Sequence, residues 1–357
     1  MTIHLPLIRT HQILKLIFII FVLSFFSCEN EKKQSEKKIR ERVSPTDMVW
    51  VEKKRFLQGA KANDSFAMNE EKPSRYVTVD GFYIDATEVT NKQFEAFVKA
   101  TNYTTVAERP IDWEDFKKEL PPGTEKPHDS LLKPGSLIFN KNIEGEVNMR
   151  NLSNWWTWKI GANWRHPQGP KSSIVGKEQY PVVHIAYEDA IAYCKWANRK
   201  LPTEAQWEAA AQGINNNTIY TWGNDPKLIN QKANTWQGVF PTTNNPLDGH
   251  KYISPVKSFP PNSIGIYDMA GNVWEMTSDN YNVDYYNTSV RNSNTLNPKG
   301  AKKSYNPNNP YIQEKIIKGG SFLCNASYCA SYRISAKMGM SPDSGSDHIG
   351  FRTVLQN

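Results

Sequence analysis

The sequence predicts an α+β fold: a single irregular domain with low regular secondary structure and one continuous core. Three observations predict it. Short stretches of strand-like alternation are interspersed with short capped helices. No unit of 20–50 residues recurs, which sets aside solenoids and propellers. From about residue 214 to about 320 the chain is rich in Asn, Pro, Gly and Thr yet regularly carries Trp and Phe, the texture of long packed loops. Of 357 residues, 39% are hydrophobic and 12% aromatic, enough apolar surface to exclude wholesale disorder. Four cysteines are too few for a disulfide-built scaffold.

The first 27 residues read as a signal peptide. Arg9, His11 and Lys15 make a basic n-region, and Leu16 to Phe26 is an almost unbroken apolar run. Eleven residues are too few to cross a hydrocarbon core, which takes about 20, but they suit a signal h-region. Ser27-Cys28 then resembles a bacterial lipobox, which makes Cys28 the lipidated first residue of a mature, membrane-anchored chain. An ordinary signal, or a signal anchor that happens to contain a Cys, is the alternative. Residues 28–46, rich in alternating Lys and Glu, form a solvated tether, and the folded domain spans 47–357. The net charge of +7 invites a nucleic-acid reading. Residues 1–57 hold +5 of it, so the folded body has no basic face and nucleic acid is not expected as a partner.

Taken in order, Met48-Val49-Trp50-Val51 opens the folded region. Arg75 to Ile84 alternates as strand around Gly81. Thr90-Asn91-Lys92-Gln93 is a capping box, with Phe94, Phe97 and Val98 as the apolar stripe of the helix behind it. Residues 188–198 read as a helix with Ala190, Cys194 and Ala197 on one face. Thr203 to Gln206 starts another helix with a second capping box, and Gly213 ends it.

Common catalytic signatures are missing: there is no HExxH, no GxxxxGK[ST] and no GxSxG. His128, His166, His184, His250 and His348 show no metal-ligand spacing and read as structural or surface residues. The segment KGGSFLCNASYCASYR (318–333) is different. Cys324 and Cys329 are separated by four intervening residues after Gly319-Gly320. Two thiols so close form a local disulfide, hold a soft metal or act as a redox pair. Zinc would want four ligands, whereas Cu(I) accepts two thiolates and leaves room for a substrate thiol. From spacing alone the disulfide is the plainer reading in an oxidising compartment.

Longer stretches decide between these. RYVTVDGFYIDATEVTN (75–91), GANWRHPQGP (161–170), PVVHIAYEDAIAYCKWANRKLPTEAQWE (181–208), ANTWQGVFP (233–241), GIYDMAGNVWEMTSD (265–279), GGSFLCNASYC (319–329) and GFR (350–352) resemble the formylglycine-generating enzyme (sulfatase-modifying factor) family. The resemblance runs from Met48 to Arg352. It implies a C-type-lectin-like fold and a copper-dependent oxidase. Such an enzyme uses O2 to convert a Cys in a Cys-x-Pro/Ala-x-Arg segment of an unfolded or extended sulfatase to Cα-formylglycine. Cys324 and Cys329 match the Cu(I) pair, and Ser321 and Trp274 match residues lining the oxygen and substrate-thiol site. Two structural Ca2+ sites are implied as well. The first takes side chains of Asn234 and Asp248 with carbonyls of Thr235 and His250. The second takes side chains of Asp268 and Glu275 with carbonyls of Gly271 and Val273. Without the resemblance, residues 268–275 read as a turn packing Trp274.

Departures from the family pattern are local. Thr353 stands where some relatives have a Cys, so Cys194 is expected as a buried free thiol. Asn325 follows the first site cysteine, His348 stands where Asn is common, and residues 105–150 diverge, which leaves substrate-sequence preference open. The sequence thus implies an exported, monomeric envelope enzyme. A non-catalytic scaffold lipoprotein on the same fold, of the kind found in gliding machinery, is the main alternative. A third reading, an iron-dependent sulfoxide synthase, would need a His-rich iron site from an added helical domain, which is not expected here. The thiol-bearing loop is expected to contribute little to the core.

Overall fold

Strand β1 (Met48–Val51) begins where the apolar run after Asp47 predicts it. This computed structural model describes residues 46–143, 145, 147–149, 151–289 and 295–356; the signal peptide, Cys28 and the tether to residue 45 lie outside the described residues. The unit from Val49 onward mixes short strands and short helices, the α+β class expected.

The predicted 75–84 segment is two strands, β3 (Arg75–Val79) and β4 (Phe82–Asp85), broken at Asp80-Gly81. Strand β3 pairs antiparallel with β2 (Lys54–Gln58) and parallel with β10 (Thr295–Leu296). Strand β4 lies between β1 and β14 (Val354–Leu355). Both capping boxes form. Thr90 Oγ1 accepts from Gln93 N at 3.3 Å and Gln93 Oε1 accepts from Thr90 N at 2.8 Å, starting α1 (Asn91–Thr101). Helix α2 is one turn (Trp113–Phe116), and α3 runs Tyr187–Trp196. Thr203 and Gln206 repeat the reciprocal pair at 3.1 and 3.0 Å ahead of α4 (Glu204–Gln212), which Gly213 ends at φ +57°.

Two features differ from expectation. The stretch read as loop contains β9 (Trp274–Asn280) and β11 (Lys315–Lys318), the middle of a four-stranded sheet in the order β12 (Lys337–Met340), β11, β9, β13 (Ile349–Gly350). Both strands are covered on their two faces, so buried Glu275, Thr277 and Lys318 erase the alternation that marks a half-buried strand. Secondly, the core is not one body but three buried clusters. The largest joins Phe94, Tyr193, Trp274, Ile317 and Phe351, and another packs Trp207 and the Ala209–Ala211 run of α4 beneath β2, β3 and β4. The third is aromatic: Phe139, Trp155, Trp236 and Phe240 with Phe322 and Leu323.

The sheet positions the site. β11 runs antiparallel to β9, with Lys318 opposite Glu275, and β13 runs parallel to β9, with Ile349 opposite Trp274. The chain leaving β11 and the chain entering β9 and β13 therefore meet at one end of the sheet. Ser321, Trp274 and His348 arrive there from three separate parts of the sequence. The hairpin of β5 (Gly135–Phe139) and β6 (Trp156–Ile160) stands beside them.

Candidate active site

After Lys318 the backbone turns through Gly319 and Gly320, at φ +88° and +71°. A Cβ on Gly320 would lie 2.8 Å from the Ser331 carbonyl carbon, so both conformation and space demand glycine. Ser321 O then accepts from Cys324 N at 2.9 Å, and Asn325 O accepts from the N–H groups of Tyr328, Cys329 and Ala330, each at 3.0 Å. The two bends fold Cys329 back onto Cys324. Asn325 anchors them: its Nδ2 donates to the carbonyls of Trp236 (2.9 Å) and Gly238 (3.3 Å), and Trp236 N donates to Cys324 O at 3.0 Å.

Burial, and then the neighbouring Cys329 sulfur, push the Cys324 thiol well above its ordinary pKa, while the neighbouring Cys324 lowers that of Cys329. Cys324, Cys329 and Cys194 are free thiols. The plainer disulfide reading is thus not what the structure contains. The expectation that this loop adds little to the core is also overturned. Phe322, Leu323 and Cys324 are buried, because the turn plugs the gap between the largest cluster and the aromatic one. Cys329 is half-buried and gives the pair its access.

Ser321 is fully buried, with its N–H 3.4 Å from Cys324 Sγ and its Oγ 3.0 Å from His348 Nδ1. Trp274 packs in the same cluster as Cys324, and its main-chain N–H donates to His348 O at 2.9 Å. His348 lies against Trp156, ring centroids 4.8 Å apart. Sequence reasoning placed Ser321 and Trp274 here but read His348 as a structural or surface residue and a departure from the family pattern. It also missed a wall of aromatic rings beside the thiols. Tyr328 stacks on Phe240 at 4.6 Å and meets Trp155 edge-on at 6.2 Å, while remaining 42% exposed. The Tyr328 signal was its place one residue before Cys329.

The first calcium set is brought together. Asp248 accepts from Thr235 N and His250 N, both at 2.9 Å. Asn234 Oδ1 is buried with no partner, while its Nδ2 donates to Tyr252 O at 2.9 Å. An orphaned buried amide oxygen is the kind of ligand a hard cation takes. In the second set, Gly271 (φ +76°) has no room for a Cβ against the Asn234 carbonyl, which ties the two loops together. Glu275 is held by Arg352 (Nε 2.6 Å, Nη2 2.7 Å) and by Trp207 Nε1 at 2.7 Å. Asp268 accepts from Lys257 N at 2.7 Å, and burial raises its pKa to about 6. Val273 is fully buried between them in sequence.

One member of this second cluster was not foreseen. Glu88 is wholly buried, and burial followed by the charge of Asp268 pushes its pKa well up. Its Oε1 accepts from Asn272 Nδ2 at 3.0 Å, and its Oε2 has no partner. Glu88, Asp268 and Glu275 share the field of the Arg352 guanidinium, and a divalent ion there would favour the ionised forms of Glu88 and Asp268 that burial disfavours. Among the described residues no three His, Cys, Asp or Glu side chains are already arranged around a metal position. Two thiols without a third such ligand suit an ion of low coordination, as Cu(I) is.

A loop-rich α+β domain with paired free thiols at the end of a mixed sheet is the class this chain defines. Residues 33–357 match the family described as sulfatase-modifying factor enzyme 1-like domain. The chain belongs to that family. It is 40% identical over 314 residues to the formylglycine-generating enzyme of Mus musculus, covering 87% of this chain and 76% of that one. It is 35% identical over 312 residues to the mouse protein named inactive C-alpha-formylglycine-generating enzyme 2, covering 85% and 87%. Among solved structures, PvdO from Pseudomonas aeruginosa shares the fold at a TM-score of 0.56 and 22% identity, over 87% of this chain and 94% of that one.

Proposed function

We propose that this chain converts a cysteine in a Cys-x-Pro/Ala-x-Arg segment of sulfatases to Cα-formylglycine, as a copper-dependent oxidase that uses O2. The observation that carries the reading is the two free thiols Cys324 and Cys329, folded together by one turn beside Ser321 and Trp274. Cys324 and Cys329 would hold Cu(I), which supplies the one-electron chemistry that a thiol and O2 need to react. The remaining work falls to the protein. Asn325 fixes the turn, Trp274 and Ser321 line the thiols, and the half-exposed face of Tyr328 offers an extended peptide a flat surface.

Asn234, Thr235, Asp248 and His250, and Asp268, Gly271, Val273 and Glu275 with Glu88, would hold the two calcium ions that stiffen these loops. The exported, Cys28-anchored envelope location is part of the same proposal, as is a monomer that meets its client in an extended state and binds no nucleic acid. Among the described residues no helix is long and apolar enough to cross a membrane. A non-catalytic scaffold on the same fold is the competing reading, because a relative named inactive shares it; a scaffold has no use for a buried reduced thiol pair. The test incubates the purified chain with Cu(I), O2 and a Cys-x-Pro-x-Arg peptide. Aldehyde on the peptide, seen by mass or by a hydrazide probe, supports the oxidase. Copper bound with no aldehyde on any such peptide rejects it in favour of the scaffold.

A further inference from the structure

We propose that His348 is a positioning residue for Ser321: it takes the serine's hydroxyl hydrogen and leaves the oxygen facing the thiol turn as an acceptor. The proposal rests on the oxidase reading for its consequence, though not for its geometry.

A hydroxyl has one hydrogen and two lone pairs. Ser321 Oγ accepts from Leu323 N at 3.2 Å, which uses one lone pair. Its other contact is His348 Nδ1 at 3.0 Å. Ser321 is fully buried, so its hydrogen must find an acceptor, and Leu323 N–H cannot be one. Nδ1 is then the unprotonated nitrogen and Nε2 carries the ring hydrogen. Burial also keeps the imidazole neutral, with its pKa pushed down to about 3.

The imidazole is itself fixed. The His348 main-chain carbonyl accepts from the Trp274 main-chain N–H at 2.9 Å, and the imidazole ring rests on Trp156. Ser321 is therefore held at both ends, its side chain by His348 and its main-chain N–H by Cys324 Sγ at 3.4 Å. With the hydrogen drawn to His348, one lone pair of Ser321 stays free to accept from a thiol in the turn or from an incoming thiol. An amide oxygen at position 348 would take the same hydrogen, so histidine keeps the acceptor and adds the ring contact with Trp156.

Two measurements on the full chain test this. The first is the 15N spectrum of the histidine side chains without metal. The expected result is an Nε2–H tautomer for His348, with an Nδ1 shift that moves in Ser321→Ala. A hydrogen on Nδ1, or no response to Ser321→Ala, overturns the proposal. The second is peptide turnover with Cu(I) and O2. His348→Phe keeps a ring on Trp156 but removes the acceptor, and should lower kcat about 10-fold with KM for the peptide unchanged, the size of one lost hydrogen bond. His348→Asn should restore most of it. Adding His348→Phe to Ser321→Ala should cost nothing further; independent, multiplying losses would overturn the proposal. Should the wild-type chain make no aldehyde, the oxidase reading falls, and the tautomer alone decides the role of His348. The same measurement decides it if His348→Phe does not fold.

Discussion

Arg352 grips Glu275 through two nitrogens, Nε at 2.6 Å from Oε2 and Nη2 at 2.7 Å from Oε1, with both side chains wholly buried. The pair joins β9 to the chain just beyond β13, and Trp207 of α4 adds a third hydrogen bond to the same carboxylate. Arg352 also donates to the carbonyls of Asp85 (3.1 Å) and Tyr267 (2.9 Å), so one guanidinium ties its own segment to residue 85 and to the stretch from 267 to 275.

Removing that guanidinium leaves buried carboxylates uncompensated. Arg352→Met should lower the unfolding free energy by about 3–5 kcal/mol, as breaking a buried pair does. Urea unfolding in the presence of a calcium chelator measures it. A loss below about 1 kcal/mol, the level of an exposed pair, would contradict the burial argument.

The calcium reading predicts a melting temperature that rises with added Ca2+ and falls with chelator, since an ion that binds only the folded state stabilises it by mass action. Glu88→Gln and Asp268→Ala should each shrink that dependence. Glu88→Gln is the sharper test, because Glu88 Oε2 has no other partner to lose. Metal analysis of the chelated protein completes it: a calcium-free chain with an unchanged melting curve contradicts the proposed sites.

Asp279 supplies a pH dependence away from the proposed metal and thiol sites. Burial, and then the charge of Glu204, raise its pKa from 3.8 to about 7. The folded state therefore holds a proton that the unfolded state has released. Its contribution is fully present below about pH 4 and is lost as pH rises through about 7. Asp279→Asn should flatten the fall in stability across that window, in unfolding curves taken at pH 4 to 8 with calcium held constant. Parallel curves for the two proteins would show that Asp279 does not hold its proton.

Cys324→Ser and Cys329→Ser should each abolish aldehyde formation. Their stability effects should differ, because Cys324 is 2% exposed in the core and Cys329 is half-buried. Seating a hydroxyl at 324 should cost about 1–3 kcal/mol, and the change at 329 less. Ser321→Ala should slow turnover without stopping it. Activity that persists in both cysteine variants would remove the thiol pair from the mechanism.

Local patterns in the sequence located what local physics builds. The Thr90 and Thr203 capping boxes, the Gly213 stop and the Gly319-Gly320 turn each depend on side chains within a few residues of the backbone they serve. The thiol pair was legible for the same reason, since Cys324 and Cys329 share one turn. Strands β9 and β11 were not. Their buried Glu275, Thr277 and Lys318 look like surface until Arg352, the Ile316 carbonyl and Glu208 are supplied from elsewhere.

What the sequence by itself determined is the α+β class, the capped helices and the segment that carries Cys324 and Cys329. Only the tertiary structure decided that the core is three clusters, that the thiol turn is part of it, that Glu88 joins Asp268 and Glu275, and that His348 meets Ser321. The reason is distance along the chain. His348 and Ser321 are 27 residues apart, and Glu88 and Asn272 are 184 apart. No periodicity or spacing rule reaches that far; the sheet, by setting β9, β11 and β13 in register, is what brings such groups within hydrogen-bonding distance.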